Sequence, residues 1–464
     1  MIRFLVQLSL LLATDLAVAQ TPVMQGSSST AVPSADSAAR LNRAGLWRDA
    51  LTVARMRMPV AAADEKCSLR IDILESLERM GLLEGAASEF RTFDPQCRET
   101  ASAKARADEV ARIRSETSLP PLPTTGLDFS AVDEFWRLVD QLTKDVEPSE
   151  DDWRRMASSV GYRLSLQQVP TTRSDMEIAL RPSRGAAFDS LTRIDNDQAN
   201  RLRHFRGTMT HRDALAAYRD SLTRSLPVDK AVAIMARFLP PHAIDGKTPP
   251  LVAFGLFRND AYSLGQRGVV IDLDHVYEEG GLVELLAHEF HHSYLSAMSS
   301  LRVPDGDSAT ALYFALRNMR NEGIADLIDK PYPLSYANSA IMSAYAKRYN
   351  EAYARTPAVI HSIDSALVVA ADDSTKLAAV GRRVNELLPS AGHFNGSYVA
   401  REIYETFGVD SLYPGVKNFF AFLRAYAAAE AKRGNPPPFS PKSVALLNAL
   451  ERKYSLRPTG PGEP

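Results

Sequence analysis

The stretch that most constrains this chain is Gly280-Gly281-Leu282-Val283-Glu284-Leu285-Leu286-Ala287-His288-Glu289-Phe290-His291-His292. Its Leu and Ala content, behind a glycine pair, predicts a helix. Within it lies H-E-x-x-H: His288, Glu289 and His292. Positions i and i+4 share one face of a helix, roughly 6 Å apart, so two imidazoles there can grip one tetrahedral Zn²⁺. Glu289 projects beside them, where a carboxylate can hold and deprotonate a metal-activated water. A chance match on an amphipathic helix is the bland alternative, and a second feature weighs against it. Asn321-Glu322-Gly323-Ile324-Ala325-Asp326 lies in another helical pattern, with Glu322 thirty residues beyond His292. A catalytic zinc takes three protein ligands, and two His with one Glu is a standard set. Glu322 is the third candidate. Asp326, one turn on, can accept the free ring N–H of a zinc-bound histidine and fix its tautomer. A solvated helix face is the alternative for this acidic pair.

His288-Glu289-x-x-His292 followed by Asn321-Glu322-x-x-x-Asp326 resembles the gluzincin metallopeptidases, the thermolysin-like superfamily. Downstream, Gly392-His393-Phe394-Asn395-Gly396-Ser397-Tyr398-Val399-Ala400 looks like a glycine-led helix start. The combination is similar to a bacterial family described only as zinc-dependent peptidases. The resemblance spans residues 127–455 and implies His288, His292 and Glu322 as zinc ligands. It also implies Glu289 as general base, with Asp326 supporting a ligand. For part of 262–273 it implies an edge strand that pairs with an extended peptide. An ordinary core sheet is the other reading of that segment.

Residues 1–19 have the layout of an export signal: a positive start at Arg3, an apolar run, and Ala17-Val18-Ala19 before Gln20. A buried N-terminal helix is the alternative. The mature chain is expected to be periplasmic or secreted, without a membrane-spanning segment. The net charge is −2, with acids and bases interspersed, so no basic footprint for nucleic acid is present.

Residues 20–35 read as a flexible linker, and 36–117 as a helical hairpin domain. Gly45-Leu46-Trp47 aligns with Gly81-Leu82-Leu83 at a period of 36, close to a tetratricopeptide-like repeat. A plain helical hairpin fits equally well, and either form offers a surface for a protein partner. Both cysteines fall here. Cys67 near one helix start and Cys97 past the next helix end predict a disulfide in an exported protein, with two buried thiols as the alternative.

The Pro-rich stretch 118–126 marks a boundary. Beyond it, Phe129–Lys144 reads as an amphipathic helix, and Ser149 as the cap of the next. His204 and His211 sit among arginines and read as surface residues. Residues 251–257 and 268–273 read as strands, with 262–265 a loop or edge between them. From 308 to 455 the chain is helical, and 456–464 is a disordered tail. The expected fold is α+β and predominantly helical: a gluzincin-like catalytic domain (127–455) with a small sheet, behind a helical, TPR-like domain.

The chemistry this implies is hydrolysis of a peptide or protein substrate, with one Zn²⁺ per chain and Glu289 as base. The developing oxyanion needs a further donor. Tyr398 and His393 are the two candidates, and Tyr398 is preferred as a neutral donor at a helix start. Two alternatives stand beside this reading. One is a zinc hydrolase of a non-peptide amide or ester. The other is an inactive zinc scaffold whose helical domain binds a partner.

Overall fold

The computed structural model describes residues 37–455 apart from short stretches, the longest being 44–49, 80–85, 117–121 and 166–172. The segments read as an export signal, a 20–35 linker and a tail lie outside the described residues, as do most of the two candidate repeat copies. The chain divides into two compact units, residues 1–79 with 84–108, and residues 80–83 with 109–464.

In the first unit, helix α1 (Ala63–Arg79) buries Leu69, Ile73, Leu74 and Leu77. Its Glu75 pairs with Arg106 of α2 (Ala101–Glu116) at 2.6 Å. Cys67 of α1 is bonded to Cys97. Cys97 sits in the short helix Pro95–Arg98, where Asp94 accepts its backbone N–H at 2.8 Å. The bridge closes a loop with a sequence separation of 30, and constraint of the unfolded chain by such a loop contributes about 3–4 kcal/mol. Reduction is therefore expected to lower the melting temperature of this unit and to leave the transition of the second unit in place. Calorimetry with and without reductant checks this, and an unchanged first transition contradicts it.

The second unit is predominantly helical around a four-stranded sheet of order β1-β2-β4-β3. Here β1 is Leu127–Asp128, β2 Val252–Gly255, β3 Ala261–Ser263 and β4 Val269–Asp272. The first three strands in that order run parallel, and β3 closes one edge antiparallel to β4, with Tyr262 opposite Val270. Every residue of β2 and β4 is buried, as in parallel sheets covered on both faces. Two residues of β1 give no alternating pattern, so this strand is not legible in the sequence. Helix α3 (Ser130–Leu142) packs on β2, and α4 (Val160–Ser165) packs on β2 and β4. Between α3 and α4, the helix Glu150–Ser158 starts at the expected cap: Ser149 and Asp152 form a reciprocal capping box.

The reading of His204 as a surface residue is overturned, whereas His211 stays partly exposed but is tied to a distant partner. On α5 (Asp197–Thr208), Leu202 and Phe205 are fully buried and carry His204 inward with them. His204 Nε2 lies 2.9 Å from Asp272 Oδ2, and His211 Nδ1 lies 2.8 Å from Asp274 Oδ1. Burial opposes a charge on His204, but Asp272 outweighs it and the pKa is raised. The partners stand more than sixty residues away in sequence, so the local arginines mislead. Asp272 also caps α6 (Leu273–Glu279) through the N–H groups of Asp274 and His275.

After Gly280 and Gly281, both with positive φ, comes α7 (Leu282–Leu295). Leu286, Ala287 and Phe290 are fully buried, and each large side chain contributes about 1.5–3 kcal/mol. α7 packs against β3 and against α8 (Thr310–Asp329). α8 is the hub of the unit and crosses α9 (His393–Phe407), which in turn packs on α10 (Phe419–Lys432). No helix among the described residues is long and apolar enough to cross a membrane.

Candidate metal centre

α7 carries H-E-x-x-H on the side facing α8, and α8 turns Glu322, Asp326 and Asp329 toward it. These positions are i, i+4 and i+7, one face of a helix. His288 Nε2 and His292 Nε2 lie 3.0 Å apart. Glu322 Oε2 is 3.0 Å from His292 Nε2 and 3.7 Å from His288 Nε2. Donors about 2.0–2.1 Å from one tetrahedral zinc stand roughly 3.3–3.4 Å from one another, and the three separations bracket that value. These residues therefore fit a zinc ion, both in donor chemistry and in spacing.

The ionisable groups of the cluster perturb one another strongly. Burial alone opposes a charge on His288, but Asp329 outweighs it and lifts this imidazole to about 10. Burial also works to raise Glu322, yet the imidazoles of His292 and His393 hold its carboxyl well below the usual range. Glu289 is buried on the same wall, and desolvation pushes its carboxyl up. That moves it toward the range where a general base works best at neutral pH.

These groups line a cleft of about 1010 Å³, together with Asp260, Tyr262, Lys330 and Tyr345. The edge strand β3 forms part of its wall, and Ser263 of β3 is tied to Ser293 of α7 at 2.8 Å. Tyr262 donates its hydroxyl to Asp260 at 2.8 Å.

The structure redistributes the supporting roles. The carboxylate on His288 Nδ1 is Asp329, at 2.8 Å, whereas Asp326 is 3.8 Å away. Asp326 Oδ1 instead accepts from His393 Nδ1 at 2.9 Å, and the other nitrogen of His393 lies 3.2 Å from Glu322. Sequence reasoning stopped at Asp326 and missed Asp329 and Lys330. The available signal was the i+7 spacing from Glu322.

Tyr398, the preferred donor in the sequence, stands apart from this cleft. Helix α9 begins at His393, and Tyr398 sits about 140° around it from His393. Its ring packs edge-on against Tyr353 and Tyr426, and it is not among the residues lining the cleft. His393 does line the cleft. Burial opposes a charge on it, but Glu322 and Asp326 raise its pKa. His291, on the neighbouring face of α7, is fully buried and does not reach the cleft.

The glycine-led segment positions His393. A Cβ on Gly396 would stand 1.9 Å from the Met319 carbonyl oxygen, and one on Gly323 would stand 2.3 Å from the Gly396 carbonyl. The backbones of α8 and α9 therefore touch at Gly323 and Gly396. Gly392, at φ +88, is likewise hard against Met319 and turns the chain into α9. This contact brings His393 within reach of Glu322 and Asp326.

Residues 153–434 match the family described as "Putative zinc dependent peptidase (DUF5700)". No curated protein and no solved structure matches the chain.

Proposed function

Since the chain belongs to the family so described, we propose that it hydrolyses peptide bonds with a zinc ion held by His288, His292 and Glu322. One observation carries the reading: two imidazole nitrogens and a carboxylate oxygen converge at ligand spacing beside the buried Glu289, on the wall of one cleft. Zinc held there supplies a Lewis acid and a nucleophilic water at neutral pH. Glu289 accepts the proton of the attacking water and returns it to the leaving amine. His393, with Nδ1 donating to Asp326, directs Nε2 toward the ligand side and donates to the developing oxyanion. The outer edge of β3 pairs with the backbone of an extended substrate, which gives sequence-tolerant recognition.

A gluzincin-like centre is supported by the glutamate on the helix following H-E-x-x-H and by the antiparallel edge strand beside it. The Cys67–Cys97 bond supports export to an oxidising compartment.

Metal analysis tests the site. The mature chain should hold about one zinc, and Ala at His288, His292 or Glu322 should remove most of it. Unchanged zinc in all three variants would show that the ion sits elsewhere.

A further inference from the structure

Lys330 is a buried cation in the wall of the same cleft, and neither the motifs nor the family match gives it a role. Its ammonium lies 2.9 Å from Asp326 Oδ1 and 2.9 Å from Asp329 Oδ2. Each carboxylate holds a different imidazole, Asp329 that of His288 and Asp326 that of His393. His288, Asp329, Lys330, Asp326 and His393 therefore form one continuous run. We propose that Lys330 is a positioning residue that ties the zinc ligand His288 to His393, so that one buried ammonium sets both imidazoles. The inference rests on the zinc reading above for its catalytic meaning, but not for its geometry.

The physical need is clear from α8. Glu322, Asp326 and Asp329 crowd three acids onto one buried helix face. Without the ammonium between them, Asp326 and Asp329 lose the donor they share. A carboxylate that is no longer held from that side can turn away from its histidine, and that ring is then free to turn. An ammonium has three donors and serves both acids at once. The backbone fixes where it stands. Lys330 N donates to the Asp326 carbonyl at 2.9 Å, and the Lys330 carbonyl accepts from Arg401 of α9 at 3.1 Å. Lys330 is thereby fastened both to the helix that carries Asp326 and Asp329 and to the helix that carries His393. Carboxylate partners of metal-binding histidines are typically worth about 10–100-fold in metal affinity, and Lys330 acts on that term from one residue further out.

The test uses the full mature chain, Lys330→Met, and proton NMR of the downfield Nδ1–H signals of His288 and His393, assigned with Asp329→Asn and Asp326→Asn. Each of those single variants should displace mainly its own histidine's signal. Lys330→Met should displace both, and zinc affinity measured by chelator competition should fall by about 10–100-fold. Lys330→Gln, which keeps two donors without the charge, is the milder variant should Lys330→Met not fold, and it should move both signals the same way. Either signal staying in place in a folded Lys330 variant overturns the proposal. If the wild type binds no zinc, the metal reading fails, while the two signals still report whether Lys330 links the histidines.

Discussion

Glu289→Gln is expected to reduce turnover by about 10²–10⁴ while zinc content and fold stay intact. Glutamine keeps the shape of the side chain but cannot accept a proton near neutral pH. The three proposed ligands are untouched, so metal analysis and circular dichroism should match wild type. The buried position of Glu289 makes the comparison clean, since its carboxyl faces the cleft rather than stabilising a distant surface. Steady-state kinetics on any cleaved peptide provides the measurement. Wild-type turnover in the glutamine variant would move the activity to another site, and loss of zinc would make Glu289 part of the metal-binding shell.

The second large effect is expected from Gly396→Ala. The added methyl would stand 1.9 Å from the Met319 carbonyl oxygen. That atom belongs to the backbone of α8, so no rotamer change relieves the clash and the helices must separate. Overpacking a core typically costs about 1–3 kcal/mol, occasionally more, and a backbone collision belongs at the upper end. Separation would also draw His393 away from Asp326 and Glu322, so kcat/KM should fall by more than the loss of folded protein explains. Gly207→Ala is the control: a helical glycine with nothing within 4 Å of the added Cβ, where alanine is expected to be neutral or stabilising by about 0.4–1 kcal/mol. Denaturant titration of both variants distinguishes the cases. Equal stability of the two would show that α8 and α9 are not locked at this contact.

The candidate metal-site residues are the most legible part of this chain, because the chemistry proposed for them is written in helix spacing. H-E-x-x-H places two imidazoles on one face whatever the surroundings, and a glutamate on a following helix supplies the missing donor. What surrounds them was less legible. Asp329 and Lys330 lie one turn beyond Asp326, at a helix end, and only the packing of α7 on α8 shows that Asp329 rather than Asp326 reaches His288. Tyr398 is preferred from the sequence as a neutral donor at a helix start. The helix starts at His393, and five positions on the tyrosine faces away from that histidine. The inward turn of His204 depends on Asp272, a contact between distant segments that leaves no local trace. The two central strands were readable from their buried apolar runs, whereas β1 is too short to show any period.

The most direct test of the central claim is a peptide-library digest by the purified mature protein, read by mass spectrometry in three states: as isolated, after chelation, and after zinc is restored. The account predicts new peptide termini in the first state, none in the second, and their return when about one zinc per chain is added back. Cleavage that persists after the metal is removed, or a zinc-loaded chain that cuts no peptide in the library, would contradict it.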